Sequence, residues 1–382
     1  MENIVRYGMV GGDIKAFIGE VHRKAIGMDP RAKLVAGSFS AVKELAEQTA
    51  DMYHVAADRR YDSYEEMAEK ESQREDGIDF VSICTPNFLH YKIAKTFLSH
   101  NINVVCEKPL CFTSEEAREL KALAEEKNLI FAVTYSYTGY SMVKLAREMI
   151  QKGELGRIIS SDVEYYQDWM IDALDSNKRE EIKKTIWRLD PKYTGIANTI
   201  GDIGTHAENM LSYLLGKKLK RVFATTDTYG LPLDMRTDII LEYEDKQKAT
   251  IRCSQVAIGN ANGLTFKIYG DKGSLMWFQE HPEELVYTPI HKPTMILKKG
   301  DKFLSSYDAF KVGRLPLGHP EGFFEAFANI YRNVISSVLK KKNGEEITSV
   351  DDDYPHVTDG LEGIVFVEKS VESVNKESWV EF

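Results

Sequence analysis

The chain has 382 residues, of which 43% are hydrophobic and 28% charged, and it carries a formal net charge of −10 at neutral pH. This length exceeds the usual size of a single hydrophobic core, so two domains are predicted. The negative charge argues against nucleic-acid binding, and no apolar run of about 18 residues is present that would span a membrane.

The cysteine pattern favours a reducing compartment. The four cysteines show no CxxC spacing, and at least two of them lie in apolar, strand-like runs. We therefore expect free thiols and a cytoplasmic protein, since the first predicted strand begins too early to leave room for a signal peptide.

From residue 4 to residue 133, strand-like runs alternate with helical patterns. The predicted strands are 4–10, 33–37, 78–84, 103–106 and 129–133. The predicted helices are 17–26, 41–50, 64–71, 89–99 and 114–127. Strands that alternate with helices of this length indicate a doubly wound parallel sheet in an α/β fold.

The turn after the first strand lies where a dinucleotide-binding fold places its phosphate loop. Against the pattern G-x-G-x-x-G/A, Gly11 and Ala16 conform, but Asp13 replaces the middle glycine. A carboxylate there brings bulk and negative charge towards a pyrophosphate, although Gly12 can supply the close approach and Lys15 can offset the charge. A plain turn without a ligand is the alternative.

Polar residues also follow the next two strands. Ser38 and Ser40 stand where an acidic residue commonly binds a free ribose 2′-hydroxyl, so this position does not separate NAD from NADP. The segment 85–87, with His90 one helical turn later, suits contacts to the ribose or nicotinamide of a cofactor. A simple turn before a helix explains it equally well.

The fourth strand ends in Glu107-Lys108-Pro109. Val104 and Val105 are typical of a buried parallel strand, and Pro109 stops it. Lys108 is therefore expected at the carboxyl end of a strand, where open α/β sheets bind ligands. The alternative is a solvated pair of charges at a loop.

The pattern changes after residue 155, where long strands are separated by turns and few helices. The predicted strands are 158–166, 219–226, 236–243, 249–254 and 265–269. We predict a domain of residues 1–137 followed by a domain of residues 138–382 with a mainly antiparallel sheet.

Asp202 and His206 interrupt this second half on a helical pattern, four residues apart and hence on one face. Histidine is the usual general base near neutral pH, and a neighbouring carboxylate can orient it. A surface ion pair is the alternative. Glu208 adds a third possible ligand, but no second histidine lies within helical reach, so no metal is predicted.

These stretches together resemble the Gfo/Idh/MocA family of oxidoreductases, which includes glucose-fructose oxidoreductase and inositol 2-dehydrogenase. The resemblance covers nearly the whole chain, and Asp13 and Lys15 depart from the glycine-richer first loop of the branch that it matches. The matching segments are Glu107-Lys108-Pro109, Asp202-x-x-x-His206, Ala16-Phe17-Ile18-Gly19 with His22-Arg23, Trp187-Arg188, Asp190-Pro191 and the run 318–322.

The resemblance implies an N-terminal Rossmann domain and a C-terminal α+β domain with a large open sheet. It implies an NAD(P)-dependent dehydrogenase or reductase that acts on a secondary hydroxyl or ketone of a sugar, sugar derivative or inositol, with NAD favoured. His206 would take the hydroxyl proton, Lys108 would hydrogen-bond the same oxygen, and Asp202 would orient one of them or join a proton relay. A homodimer or homotetramer is expected.

Residues are assigned to the cofactor and to the substrate on the same basis. Substrate contact is expected from Trp187, Arg188 and Tyr193. The alternative for Trp187 is a position in the hydrophobic core, and the alternative for Arg188 is a structural ion pair. Cofactor contact is expected from Gly11, Gly12, Asp13, Ala16, Phe17, Ile18, Ser38, Ser40, Thr85, Pro86, Asn87, His90, Glu107 and Lys108.

Two other functions remain open at this point. Some members of the family use bound NAD transiently to cleave glycosides, which would make the chain a hydrolase or lyase. Asp13 suggests a non-catalytic nucleotide or sugar sensor, against which Lys108, Asp202 and His206 count. The sequence does not identify the substrate, the direction of reaction or the number of subunits.

Overall fold

The computed structural model describes residues 4–175, 177–178 and 187–382. The chain divides into two compact units. Unit 1 comprises Met1–Gly139 with Phe323–Leu361, and unit 2 comprises Tyr140–Gly322 with Glu362–Phe382. The first change of unit lies two residues after the predicted boundary at 137, whereas the return of 323–361 to unit 1 was not predicted.

The helices and the strands are numbered separately, each in chain order. The helices are α1 Phe17–Gly27, α2 Lys43–Met52, α3 Tyr64–Ser72, α4 His90–Ser99, α5 Ser114–Glu126, α6 Ser141–Gln151, α7 Pro191–Thr194, α8 Thr205–Leu215, α9 Phe323–Asn343 and α10 Val357–Lys376. The strands are β1 Val5–Gly11, β2 Ala32–Ser38, β3 Phe80–Cys84, β4 Asn103–Cys106, β5 Phe131–Val133, β6 Ile158–Tyr166, β7 Leu219–Asp227, β8 Arg236–Tyr243, β9 Lys248–Ser254, β10 Gly263–Gly270, β11 Gly273–Phe278, β12 Glu284–Pro289, β13 Met295–Lys298 and β14 Val380–Glu381.

Unit 1 is built on a five-stranded sheet in the order β2-β1-β3-β4-β5, with every pair parallel. Every residue of β3 is buried, as expected for a strand covered on both faces. The predicted strands and helices of this half are present, with ends that agree to within two residues. The Rossmann-type doubly wound sheet is therefore confirmed.

Helix α9 explains why residues late in the chain belong to unit 1. Its buried face supplies Phe327 and Tyr331 to the same hydrophobic cluster as Val21 and Ala25 of α1. A parallel sheet needs apolar cover on both faces, and here part of that cover comes from residues about 300 positions further along the chain.

Unit 2 is built on a nine-stranded sheet in the order β13-β12-β11-β10-β6-β9-β8-β7-β14. Strands β6 and β9 pair in parallel, and the other neighbours are antiparallel. This confirms a large, mainly antiparallel sheet. The five strands predicted here are present, while β11, β12, β13 and β14 were not predicted.

Two further observations concern membrane-spanning helices and the cysteines. Among the described residues, no helix is both long and apolar enough to cross a bilayer. The cysteines are free and buried, as predicted, at positions 84, 106, 111 and 253.

Candidate active site

The strand order of unit 1 brings several predicted cofactor residues to one edge of the sheet. Strand β1 lies between β2 and β3, so the chain leaves it on one side and later returns on the other. Gly11 pairs with Cys84, which places the loops after β1 and β3 side by side. Ligands bind in open α/β sheets at such a switch point, beyond the carboxyl ends of the strands.

The loop after β1 depends on a close approach between two glycines. Gly11 and Gly12 have φ angles of +75° and +71°, a region that residues with a side chain rarely adopt. A Cβ added to Gly19 in α1 would lie 2.2 Å from the Cα of Gly12. Helix α1 therefore packs directly on the backbone of the loop.

Gly19 takes the place that the sequence pattern gave to Ala16. Ala16 is the N-cap residue of α1 and makes no side-chain cap hydrogen bond. The close contact between α1 and the loop after β1 lies three residues later, at Gly19. Gly19 is an isolated glycine inside a helical pattern, which can indicate such a close approach. The spacing of the dinucleotide motif pointed to Ala16 instead.

We predict that Gly19→Ala destabilises unit 1 and weakens cofactor binding. The added methyl has no room without a backbone shift, and overpacking of this kind costs about 1–3 kcal/mol. Urea unfolding and NAD+ titration by fluorescence would measure both effects. The matched control is Gly27→Ala at the end of α1, where nothing lies within 4 Å of an added Cβ and stability should be unchanged or higher.

Asp13 turns its carboxylate back onto its own loop. Its Oδ1 accepts a hydrogen bond of 2.9 Å from the backbone N–H of Lys15, and its carbonyl accepts one of 2.8 Å from Ala16. The neighbouring Ile14 N–H donates to Thr49 Oγ1 of α2 at 3.2 Å. The loop therefore closes without a glycine at its third position, while a negative charge stays beside the start of α1.

We expect Asp13→Gly to tighten NAD+ binding roughly 5-fold, because two like charges about 4 Å apart in water repel by about 1 kcal/mol. Isothermal titration calorimetry would measure the change. Asp13→Asn is the matched control, since it removes the charge but keeps an oxygen that can accept from the Lys15 N–H. Equal or weaker affinity in both variants would show that Asp13 does not face the phosphates.

The remaining cofactor candidates near β1 and β2 differ in their exposure. Phe17 is 73% exposed, whereas Ile18 packs against the core of unit 1. Ser38 ends β2, and Ser40 accepts a hydrogen bond from the N–H of Val42 at 3.4 Å. Both serines are partly exposed beside buried Phe39, so both hydroxyls remain candidates for a ribose.

His90 ties two of the strand-end loops together. Its Nε2 lies 2.8 Å from the carbonyl oxygen of Thr85, after β3, and its Nδ1 lies 2.8 Å from that of Pro109, after β4. The ring is buried, and burial lowers its pKa although the two carbonyls act to raise it; a neutral ring can donate to only one of them. Since both ring nitrogens face backbone carbonyls of these loops, His90 supports the loops; a direct contact with a cofactor stays a prediction.

The carboxylate of Glu107 is engaged in the interior of unit 1. It accepts hydrogen bonds from His22 Nε2 at 2.9 Å and from Thr134 Oγ1 at 2.5 Å. His22 Nδ1 lies 2.6 Å from the hydroxyl of Tyr331 in α9. The segment that carries Lys108 is thus connected through His22 to α1 and α9.

The neighbours of Glu107 and His22 shift the pKa values of both groups. Burial raises the pKa of Glu107, but the hydrogen bond from His22 and the charges of His22 and Lys108 outweigh it and bring that pKa to about 2. Burial likewise opposes a charge on His22, but neighbouring Cys84, Tyr331 and Glu107 raise its pKa well above 6.5. Both side chains are buried, so removing one partner would leave the other as an unpaired buried polar group.

Lys108 is the second residue after β4, at the carboxyl end of the strand as predicted from the sequence. The Lys108–Pro109 peptide bond is cis. The Glu107 N–H donates to the carbonyl of Ile83 at 3.0 Å, and His90 holds the carbonyl of Pro109. The backbone on both sides of Lys108 is therefore anchored, and the sheet order separates β4 from β1 by β3 alone.

In unit 2, Asp202 lies in a π-helical segment, Ile200–Gly204, that runs directly into α8. Such short π segments are rare in proteins, and those that occur frequently lie at functional sites. His206 is the second residue of α8 and is 6% exposed, with the ring of Tyr165 in β6 packed edge-on at 6.2 Å. Asp202 and His206 therefore share one short segment, as predicted, although its first part is not α-helical.

An aromatic and cationic cluster borders Asp202. The Arg188 guanidinium lies over the rings of Trp187 and Trp169, at 4.6 and 5.7 Å, and its Nε is 3.5 Å from Asp202 Oδ2. Trp187 and Trp169 are 37% and 43% exposed, so Trp187 is not a core residue. Trp169 was not identified from the sequence, because it follows a strand with no motif around it.

Tyr193 lies in α7, with the amine of Lys192 over its ring at 5.2 Å. The Asp190 carboxylate begins this short helix by accepting from the Lys192 N–H at 2.9 Å. The segment 179–186, which precedes Trp187, lies outside the described residues. In the described ranges, no group of three or more His, Cys, Asp or Glu residues could hold a metal ion.

Two family models match the chain. One, described as an oxidoreductase family with an NAD-binding Rossmann fold, matches residues 5–135, and the other, the GFO/IDH/MocA C-terminal domain, matches residues 143–276. The matched ranges include the glycine loop, Lys108, Asp202 and His206.

Individual proteins are similar over most or all of the chain. An uncharacterized oxidoreductase of Bacillus subtilis, YfiI, is 35% identical over 99% of this chain and 97% of its own length. Levoglucosan dehydrogenase of Pseudarthrobacter phenanthrenivorans is 28% identical over 75% of this chain and 76% of its own length. The crystal structure of an inositol dehydrogenase homolog from Azotobacter vinelandii, complexed with NAD+, is 31% identical, with a TM-score of 0.91 over 99% of this chain and 97% of that one.

Proposed function

Because this chain belongs to the Gfo/Idh/MocA family of oxidoreductases, we propose that it transfers a hydride between NAD and a secondary hydroxyl or ketone of a sugar, sugar derivative or inositol. The observation that carries the proposal is Lys108, whose backbone is anchored after β4 at the same sheet edge as the glycine loop, with only β3 between the two strands, in an NAD-binding Rossmann domain. The relatives named for inositol and levoglucosan support a polyol substrate.

The residues at the sheet edge fit a dinucleotide. A Cβ on Gly11 or Gly12 would crowd the loop after β3 or helix α1, so glycine at both positions allows the tight turn that a dinucleotide loop requires. Ser38 and Ser40 would meet the adenosine ribose, and Thr85, after β3, would lie towards the nicotinamide. The NAD+ in the Azotobacter vinelandii structure supports NAD over NADP.

When bound, the nicotinamide accepts or supplies the hydride. In the oxidative direction His206 takes the proton of the substrate hydroxyl, because hydride cannot leave the carbon until its oxygen is losing that proton. The Lys108 ammonium donates a hydrogen bond to the same oxygen and stabilises the alkoxide charge as it develops. Lysine and histidine together perform the work that a metal ion performs in other dehydrogenases.

The substrate would meet the cluster around Arg188. A sugar or cyclitol presents C–H faces to aromatic rings and hydroxyls to polar side chains, and Trp187, Trp169 and Tyr193 with Arg188 offer both. The guanidinium is already paired with Asp202, which favours a neutral polyol over a sugar acid.

A panel of sugars, sugar derivatives and inositols with NAD+ and with NADP+ tests the proposal by absorbance at the NADH wavelength. Steady reduction of cofactor with one class of polyol is the expected result. Cleavage of a glycoside without net NADH formation would assign the hydrolase or lyase reaction instead. Binding of cofactor or sugar without turnover of either would assign a sensor.

The proposal includes a homodimer or homotetramer in solution. Sedimentation equilibrium of the purified protein would measure the number of subunits, and a monomer at micromolar concentration would contradict it.

A further inference from the structure

A buried glutamine contacts the carboxylate of Asp202. Gln255 follows β9 and is 0% exposed, and its Nε2 donates to Asp202 Oδ2 at 2.8 Å. No sequence pattern pointed to Gln255, which lies 53 positions from Asp202 along the chain.

The orientation of this amide is determined by its neighbours. The backbone carbonyl of Asp234 can only accept, and it lies 3.1 Å from Asn198 Nδ2. Asn198 therefore presents its NH2 group, which also donates to Gln255 Oε1 at 2.7 Å. With its oxygen taken in this way, Gln255 must direct its own NH2 group towards Asp202.

The chain of hydrogen bonds begins at the root of the π-helical segment. The buried carboxylate of Asp234 accepts from the backbone N–H groups of Asn198 at 2.6 Å and Ile200 at 2.8 Å. The same residue that anchors the segment carrying Asp202 thus determines the direction of donation at Gln255. Buried, directional networks of this kind specify one arrangement of their members.

We propose that Gln255 is a positioning residue that holds Asp202 in its ionised form and at a fixed angle for the proposed hydride transfer, on which this inference rests. A donor aimed at a carboxylate favours the charged form, because protonation removes the charge that the hydrogen bond stabilises. Asp202 then serves as a fixed negative charge beside Arg188 and His206, and it does not carry the transferred proton.

The charged and titratable groups around Asp202 in unit 2 enter the test. Arg188 Nε lies 3.5 Å from its carboxylate, and His206 follows one helical turn later. Asp234 lies on the far side of Asn198 in the same network. Variants at Gln255 leave all three groups in place, so a change at Asp202 can be attributed to the amide.

Infrared difference titration of the whole protein measures the ionisation of Asp202 without any need for turnover, with Asp202→Asn as the spectral reference. Gln255→Met removes the donor at similar length, and we expect the pKa of Asp202 to rise by about one unit or more. Gln255→Glu keeps the acceptor for Asn198 and replaces the donor by a carboxyl group, so the rise should be larger. An unchanged pKa in both variants would overturn the inference even if the protein proves to be a dehydrogenase.

Kinetics provide the second arm of the test. Gln255→Met should lower kcat/KM about 10- to 100-fold in the wild-type background, the value of a hydrogen bond to a charged group, and less than about 2-fold in the Asp202→Asn background. The control is Gln279→Met, because Gln279 is also buried in unit 2 but donates to Tyr140 at 3.3 Å. Equal losses of kcat/KM in both backgrounds would indicate a merely structural role for Gln255. A wild-type protein without dehydrogenase activity would contradict the proposed function, and the infrared titration alone would then decide whether Gln255 keeps Asp202 ionised.

Discussion

Lys108→Ala is expected to lower kcat about 10²- to 10³-fold while the Kd for NAD+ changes less than about 3-fold. The ammonium stabilises a charge that develops only in the transition state, and loss of one such donor typically costs this much. The glycine loop after β1 and the serines after β2 remain intact in the variant, so cofactor binding should persist. Steady-state kinetics with the best polyol and a separate NAD+ titration would measure the two quantities.

Two further variants make this result specific. Lys108→Arg keeps the positive charge but changes its shape and reach, and it should remain impaired because the site needs a compact donor. Lys92→Ala removes an exposed lysine of α4 in the same unit and should leave kcat unchanged. Wild-type turnover in Lys108→Ala would refute the proposed role, whereas loss of NAD+ binding would assign the lysine to the cofactor.

His206→Gln should lower kcat in the oxidative direction about 10²- to 10⁴-fold, the usual value of a positioned general base. The residual activity should increase with pH, since the rising concentration of hydroxide can then remove the substrate proton. A primary deuterium isotope effect on kcat, measured with substrate labelled at the reacting carbon, would show whether hydride transfer has become rate-limiting.

The buried position of His206 calls for a stability control. His206 is 6% exposed and packs against Tyr165, so thermal unfolding of the variant must accompany the kinetics. His281→Gln, at an exposed histidine of the same unit, is the matched substitution and should leave the rate and its pH profile unchanged. A pH profile of His206→Gln that equals that of the wild type would exclude the histidine as the base.

Local patterns in the sequence predicted the elements that carry the candidate site. Alternating apolar strands and amphipathic helices determined the parallel sheet, because each strand must be covered on both faces. A proline after a β-branched run located Lys108 at the end of β4, and the four-residue spacing located Asp202 and His206 on one segment. These features depend on neighbours in the chain, so they could be read without a structure.

Other features depend on contacts between residues that are far apart in the sequence. Gly19 packs on Gly12. Glu107 pairs with His22, and His22 also contacts the hydroxyl of Tyr331, a residue more than 300 positions further along the chain. No periodicity within a strand or helix encodes such partners. The motif spacing placed the close helix contact at Ala16, and only the packing of α1 showed that Gly19 makes it.

The sequence by itself determined the fold class and the family, and it named the side chains that we propose to react, since all of these rest on residue types at short spacings. Only the tertiary structure decided how those side chains are held. It showed that His90 and Glu107 are engaged by the protein around Lys108, and that Gln255 donates to Asp202. The physical reason is that buried polar groups must find partners, and folding brings those partners from distant parts of the chain.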